Sequence, residues 1–122
     1  MERVMLSIDN LPEYACPEKL GEELVYKYIL AKVSNEDGDE KYVVRVTRPN
    51  IDHGSSLATL EREAAEFKVS SFGGGRIQFK PRGEAVITIF GKSADLGPDR
   101  ARDTTAQIIK RRFDELYVQV LV

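Results

Sequence analysis

The chain has 122 residues, 42% of them hydrophobic and 31% charged, which is enough for one ordinary globular domain and excludes a second independent catalytic domain within these residues, a disordered tail or a membrane span. The formal charge is −2, but residues 1–40 hold 4 basic and 10 acidic side chains, 41–80 hold 7 and 4, and 81–122 hold 7 and 6. The near-neutral total therefore hides an acidic first third; it excludes a broad basic groove for nucleic acid and leaves room for a small basic site.

In chain order, residues 4–8 read as a short first strand and lack the apolar run of a secretory signal. Residues 11–17 read as a connection, because Pro12 and Pro17 remove backbone donors and disfavour helix. That connection carries Cys16, the one cysteine of the chain. No internal disulfide can form, a thiolate metal cluster lacks ligands, and a reducing, cytoplasmic setting is expected. With no activating partner visible, Cys16 reads as an inert thiol. Residues 26–33 and 41–47 are rich in strand formers and flank the polar stretch 34–40, which predicts an antiparallel hairpin.

After Pro49 the period changes. Leu57, Leu60, Ala64 and Phe67 recur at helical spacing, so a helix is predicted there, capped by Ser55 or Ser56, with the Glu61-Arg62-Glu63 run on a solvated face. Residues 76–79 and 85–90 follow as strands around a turn at 80–84; the second is apolar on both faces and so central. Pro98 near a first helical position, Asp99 and Asp103 at the positive end and Lys110, Arg111 and Arg112 at the negative end mark a second helix. Its inward stripe is Ala101, Thr105, Ile108, Ile109 and Phe113. Residues 116–122 close the chain as a strand, and no segment reaches the roughly 18 apolar residues of a membrane helix. The predicted fold is an α/β (α+β) single domain over residues 1–122, a mixed β-sheet of about six strands flanked by two α-helices.

Gly73, Gly74 and Gly75, followed by Arg76, form the least ordinary stretch, since glycines lose the most entropy on folding and add nothing to a core. Either their N–H groups converge as a nest on a phosphate that Arg76 also grips, or they allow a tightly bent strand entry with Arg76 solvated. His53, the one histidine, lies between Asp52 and Gly54 on the loop before the first helix. That position suits a solvated surface residue, or a general base or nucleophile beside an anion at the helix N-terminus. Without zinc-type spacing, a metallohydrolase would have to use carboxylates alone. Lys27 and Arg45 interrupt two apolar strands, either as solvent-facing positions or as cations aimed at a shared pocket. Residues 90–98 leave a strand and enter a helix, as a plain turn or as a junction where N–H groups and the Ser93 hydroxyl bind an anion.

Together these segments resemble the protein histidine phosphatase family of janus/ocnus type, over roughly residues 24–122. The resemblance is carried by Lys-Tyr-Ile-Leu at 27–30, Val-Val-Arg at 43–45, a histidine eight residues after that arginine, Gly-Gly-Gly-Arg-Ile at 73–77, and Phe-Gly-Lys-Ser with Gly-Pro at 90–98. It implies a mixed sheet with two helices and a metal-independent phosphatase, without cofactor, that hydrolyses phosphohistidine in proteins, with phospholysine as a further substrate. It makes His53 the catalytic histidine, as general base or nucleophile. It places Lys27, Arg45, Gly73, Gly74, Gly75, Arg76, Ser93 and Asp95 in a phosphate-binding pocket, Asp95 through its backbone N–H.

The implied partners are phosphohistidine-containing proteins or small phosphoramidates, with inorganic phosphate as product; neither nucleic acid nor membrane is expected, and the chain is expected to be a monomer. The alternatives are a catalytically weak relative that keeps the pocket as a phospho-ligand or protein-binding module, and a plain phosphomonoesterase. Asp52, Gly54-Ser55, Lys92 and Asp95 depart from common family usage, and an acidic side chain beside a phosphate pocket is repulsive unless it points away.

Overall fold

The structure, a computed structural model, describes residues 7–22, 24–81, 85–113 and 119–121. Six strands, β1 (Tyr14–Ala15), β2 (Val25–Ser34), β3 (Glu40–Thr47), β4 (Lys68–Lys80), β5 (Val86–Phe90) and β6 (Gln119–Leu121), accompany two helices, α1 (His53–Glu63) and α2 (Arg102–Arg112). The strands form one sheet in the order β1-β3-β2-β4-β5-β6. β1 and β3 pair in parallel, as do β5 and β6, and the other pairs are antiparallel. This is the expected mixed sheet with two helices.

Side-chain alternation along β2 divides the core in two. Ile29, Ala31 and Val33 pack with Val43, Leu60 and Ala64 under α1. Tyr26, Tyr28 and Leu30 pack on the opposite face with Val44, Ile77, Ile89 and α2 residues Ala106, Ile108 and Ile109. α1 therefore covers one face and α2 the other. β3 and β4 both run antiparallel to β2, on either side of it, so α1 crosses above β2 between two strands of the same direction.

The local details refine the sequence reading. Residues 8–10 form a 3-10 turn, and part of the expected connection at 11–17 becomes β1, an edge strand of two residues. α1 begins earlier than expected, since Asp52 and not a serine is its N-cap, with its side chain accepting from the Ser55 N–H at 2.6 Å. α2 starts at Arg102 instead of near Pro98. Pro98 bridges to Gly74, and the buried Asp99 accepts from the Ala101 N–H at 2.9 Å, the Thr105 hydroxyl at 2.6 Å and the Tyr28 hydroxyl at 2.7 Å. The first strand expected at 4–8 lies mostly outside the described residues, as does much of the turn expected at 80–84.

Candidate functional site

One row across the sheet sets the site. Thr47 of β3 pairs with Lys27 of β2, Lys27 with Arg76 of β4, and Arg76 with Phe90 of β5. β3 and β5 both end at this row, arriving from opposite directions, so the loops leaving them meet over it. The loop from β3 delivers His53 as the first residue of α1. The loop from β5 carries Ser93 and Asp95 and returns at Pro98 beside Gly74.

Lys27 lies two residues before Ile29 and Arg76 two residues after Gly74, so both side chains leave the sheet on the α1 face. Like charges directly opposite on neighbouring strands repel. Among the described residues neither cation has an ion-pair partner within 4.0 Å. Among the described residues the pair therefore has no direct salt-bridge partner, a setting that suits an anion. Lys27 lies close enough to Asp52 to contribute, after the Ser55 hydrogen bonds, to holding that carboxyl below its ordinary value.

His53 is buried, with Nε2 2.9 Å from the Gly75 carbonyl oxygen. A carbonyl only accepts, so Nε2 must carry the hydrogen. In the neutral ring Nδ1 then keeps its lone pair, free to accept a proton or attack an electrophile.

The glycines explain how the ring reaches that carbonyl. A Cβ on Gly74 would stand 2.4 Å from the Tyr28 carbonyl oxygen and 3.0 Å from His53 Cδ2. One on Gly73, whose φ is +92°, would stand 1.9 Å from the Pro98 carbonyl oxygen, and one on Gly75 2.6 Å from the Phe90 carbonyl oxygen. All three are interior residues of β4, and the Gly73 and Gly74 N–H groups are taken by Ser71 Oγ (3.1 Å) and the Gly97 carbonyl (3.2 Å). These two N–H groups do not converge as a nest, because the Ser71 hydroxyl and the Gly97 carbonyl already use them.

Arg45 is buried on β3 and held as a fork by Glu63 at the end of α1, with Nε and Nη2 donating at 3.2 and 2.9 Å, while Nη1 donates to the Val44 carbonyl at 3.0 Å. Glu63 therefore does not belong to a purely solvated helix face. Ser93 is buried; its Oγ accepts from the Leu96 N–H at 2.9 Å, and its backbone exchanges hydrogen bonds with Gly97 at 3.2 and 3.0 Å. Asp95 stands at the tip of this loop, its Oδ2 3.5 Å from where a Cβ on Gly54 would be.

The structure thus brings Lys27, His53, Arg76 and the Ser93–Asp95 loop together. Arg45 is tied to the far end of α1. The Gly75 carbonyl and Glu63 escape sequence reasoning, the first because a backbone acceptor leaves no trace in residue type. Beneath Gly75 the Tyr28 hydroxyl, held protonated by burial and by the Asp99 carboxylate, braces the same strand from the other face.

Among the described residues no group of three or more His, Cys, Asp and Glu side chains is placed to hold a metal ion, and no helix is long and apolar enough to cross a membrane. The sequence model of the Janus/Ocnus family (Ocnus) matches residues 17–117, a span that contains every element of the site. Comparison with curated proteins found no match.

Proposed function

Because the chain belongs to the Janus/Ocnus family, we propose that it is a phosphohydrolase that removes the phosphoryl group from phosphohistidine in proteins, with phospholysine as a second substrate. The observation that carries this reading is the pair Lys27 and Arg76, set side by side without a salt-bridge partner among the described residues, next to a histidine whose Nε2–H is fixed by Gly75. Two cations and a helix N-terminus suit a phosphoryl dianion. Phosphoryl transfer depends chiefly on positioning and charge stabilisation, which such a site supplies with its own residues.

In the mechanism, Lys27 and Arg76 hold the equatorial oxygens. His53 Nδ1 takes a proton from a water that attacks phosphorus in line. The new P–O bond forms as the P–N bond breaks, and the leaving nitrogen keeps the electron pair and takes up a proton. Arg45 acts at a distance, fixing α1 through Glu63, and Ser93 acts by shaping the loop that carries Asp95. Gly73, Gly74 and Gly75 serve the pocket by letting His53 and the 93–98 loop close onto β4.

Hydrolysis of phosphohistidine, phospholysine and para-nitrophenyl phosphate by wild type and His53→Ala tests the reading. Turnover of the two phosphoramidates that His53→Ala abolishes is the expected result. No turnover on any substrate would favour a phospho-ligand binding module, and turnover indifferent to His53→Ala would overturn the site. Rapid quench with radiolabelled substrate checks the water route: an acid-labile, alkali-stable phosphoenzyme formed at a competent rate would replace it with a phospho-His53 intermediate.

A further inference from the structure

Asp99 is a buried carboxylate, 9% exposed, bonded to Tyr28 of the apolar layer under α2. Burying a carboxylate is costly, and an apolar side chain of similar size commonly serves stability as well or better. Packing alone therefore gives no reason for an acid at this position. Its oxygens accept from the Ala101 N–H, the Thr105 hydroxyl and the Tyr28 hydroxyl at 2.9, 2.6 and 2.7 Å. A buried network whose donors and acceptors are met holds its members in one arrangement.

That arrangement bears on the catalytic histidine from the opposite face of the sheet. Tyr28 pairs with Gly75 across β2 and β4, and its ring lies against that glycine. A Cβ on Gly75 would stand 3.1 Å from Tyr28 Cε1 and 3.2 Å from Tyr28 Oη. Gly75 in turn supplies the carbonyl that receives the His53 Nε2–H at 2.9 Å.

The acid at the other end of the tie is itself fixed to β4. On one side of Asp99 the Gly97 carbonyl accepts from the Gly74 N–H at 3.2 Å, and on the other the Arg100 N–H donates to the Phe72 carbonyl at 2.8 Å. Asp99 is thus moored before and after to the strand that carries Gly75. Its bond to Tyr28 Oη closes a ring of contacts that leads from β4, through a side chain of β2, back to the Gly75 main chain.

We propose that Asp99 is a positioning residue of the phosphoryl site: through Tyr28 it holds the Gly75 carbonyl where that carbonyl aims the His53 ring. It acts across the sheet, without reaching the substrate. The inference rests on the phosphohydrolase reading for its kinetic readout alone.

Two conservative variants test it. Tyr28→Phe keeps the ring against Gly75 and removes the tie to Asp99. Asp99→Asn keeps an oxygen for the Ala101 N–H and removes the charge. In 1H–15N spectra both should move the His53 Nε2–H resonance upfield and speed its exchange with water several-fold, because the carbonyl then holds that hydrogen less firmly. With phosphohistidine as substrate, Tyr28→Phe should lower kcat about tenfold with KM changed less than about twofold, since small misplacement of a reacting group is costly in rate. Val33→Ala, a cavity on the α1 face toward the other end of β2, is the control for lost stability. It should lower the melting temperature and leave both the Nε2–H signal and kcat as in the wild type.

An Nε2–H resonance unmoved in both variants, or moved as far by Val33→Ala, would overturn the proposal, and so would an unchanged kcat for Tyr28→Phe in an active protein. If Asp99→Asn does not fold, Tyr28→Phe decides alone. Absence of turnover by the wild type would fail the proposed function and leave the spectroscopic test of Asp99 standing.

Discussion

The tautomer of His53 is the sharpest consequence of the site geometry. Nε2 lies 2.9 Å from the Gly75 carbonyl oxygen in a buried setting. Moving the hydrogen to Nδ1 would strand a buried acceptor, at a cost of ~1–3 kcal/mol. That preference corresponds to roughly 5- to 140-fold in favour of Nε2–H, at about 1.4 kcal/mol per tenfold.

A long-range 1H–15N correlation spectrum in mildly alkaline buffer reads the two nitrogens directly. The expected pattern is a protonated, pyrrole-type Nε2 and a bare, pyridine-type Nδ1. A protonated Nδ1, or a ring averaging between the forms, would refute both the hydrogen-bond assignment and the role given to Nδ1. A pair of variants sharpens the result: His53→Gln, which can still donate to the Gly75 carbonyl, should fold with less loss of stability than His53→Ala, yet both should be inactive.

Other outcomes follow from the same contacts. Gly74→Ala forces a Cβ to 2.4 Å from the Tyr28 carbonyl oxygen, a backbone clash of the kind that costs ~1–3 kcal/mol; thermal unfolding should shift down by several degrees and the His53 ring resonances should move, while an unchanged melting temperature would contradict the close packing. The Asp52 carboxyl is held below its ordinary value chiefly by the Ser55 hydrogen bonds, so its contribution is present above the ordinary aspartate range and lost as pH falls through the depressed value. Asp52→Asn keeps an oxygen for the Ser55 N–H but not the titration, and its stability deficit should narrow toward acid; a deficit independent of pH would count against this reading. Burial raises the Cys16 thiol, so thiol labelling at neutral pH should be slower in the native protein than in denaturant, and equal rates would show the thiol to be open.

Much of the fold was legible because alternation is a local signal. The β2–β3 hairpin, with apolar runs flanking a polar turn, is visible without tertiary knowledge, and so is the helical spacing of Leu57, Leu60 and Ala64. The start of α2 was not: Pro98 and Asp99 look like a helix entry, but Asp99 turns inward to Tyr28, 71 residues away, and only the packed structure supplies that partner. The same limit governs the site. Lys27, His53 and Arg76 stand out by residue type, whereas their meeting depends on register, which no single segment encodes. Arg45 looks like a pocket cation until the helix end brings Glu63 to it. The three glycines signal a need for bare backbone without saying which neighbour requires it.

That last ambiguity bears on how relatives should be recognised. Each glycine of the triplet is demanded by a different stretch of main chain, at Pro98, Tyr28 and Phe90, and none of these demands involves a substrate. A descendant that lost all chemistry would still be obliged to keep the triplet in order to fold. The triplet is therefore a badge of architecture, silent about whether its bearer turns anything over. The diagnostic question for any related chain is whether two cations still face each other across β2 and β4 beside a histidine, since no salt bridge among the described residues accounts for that pair.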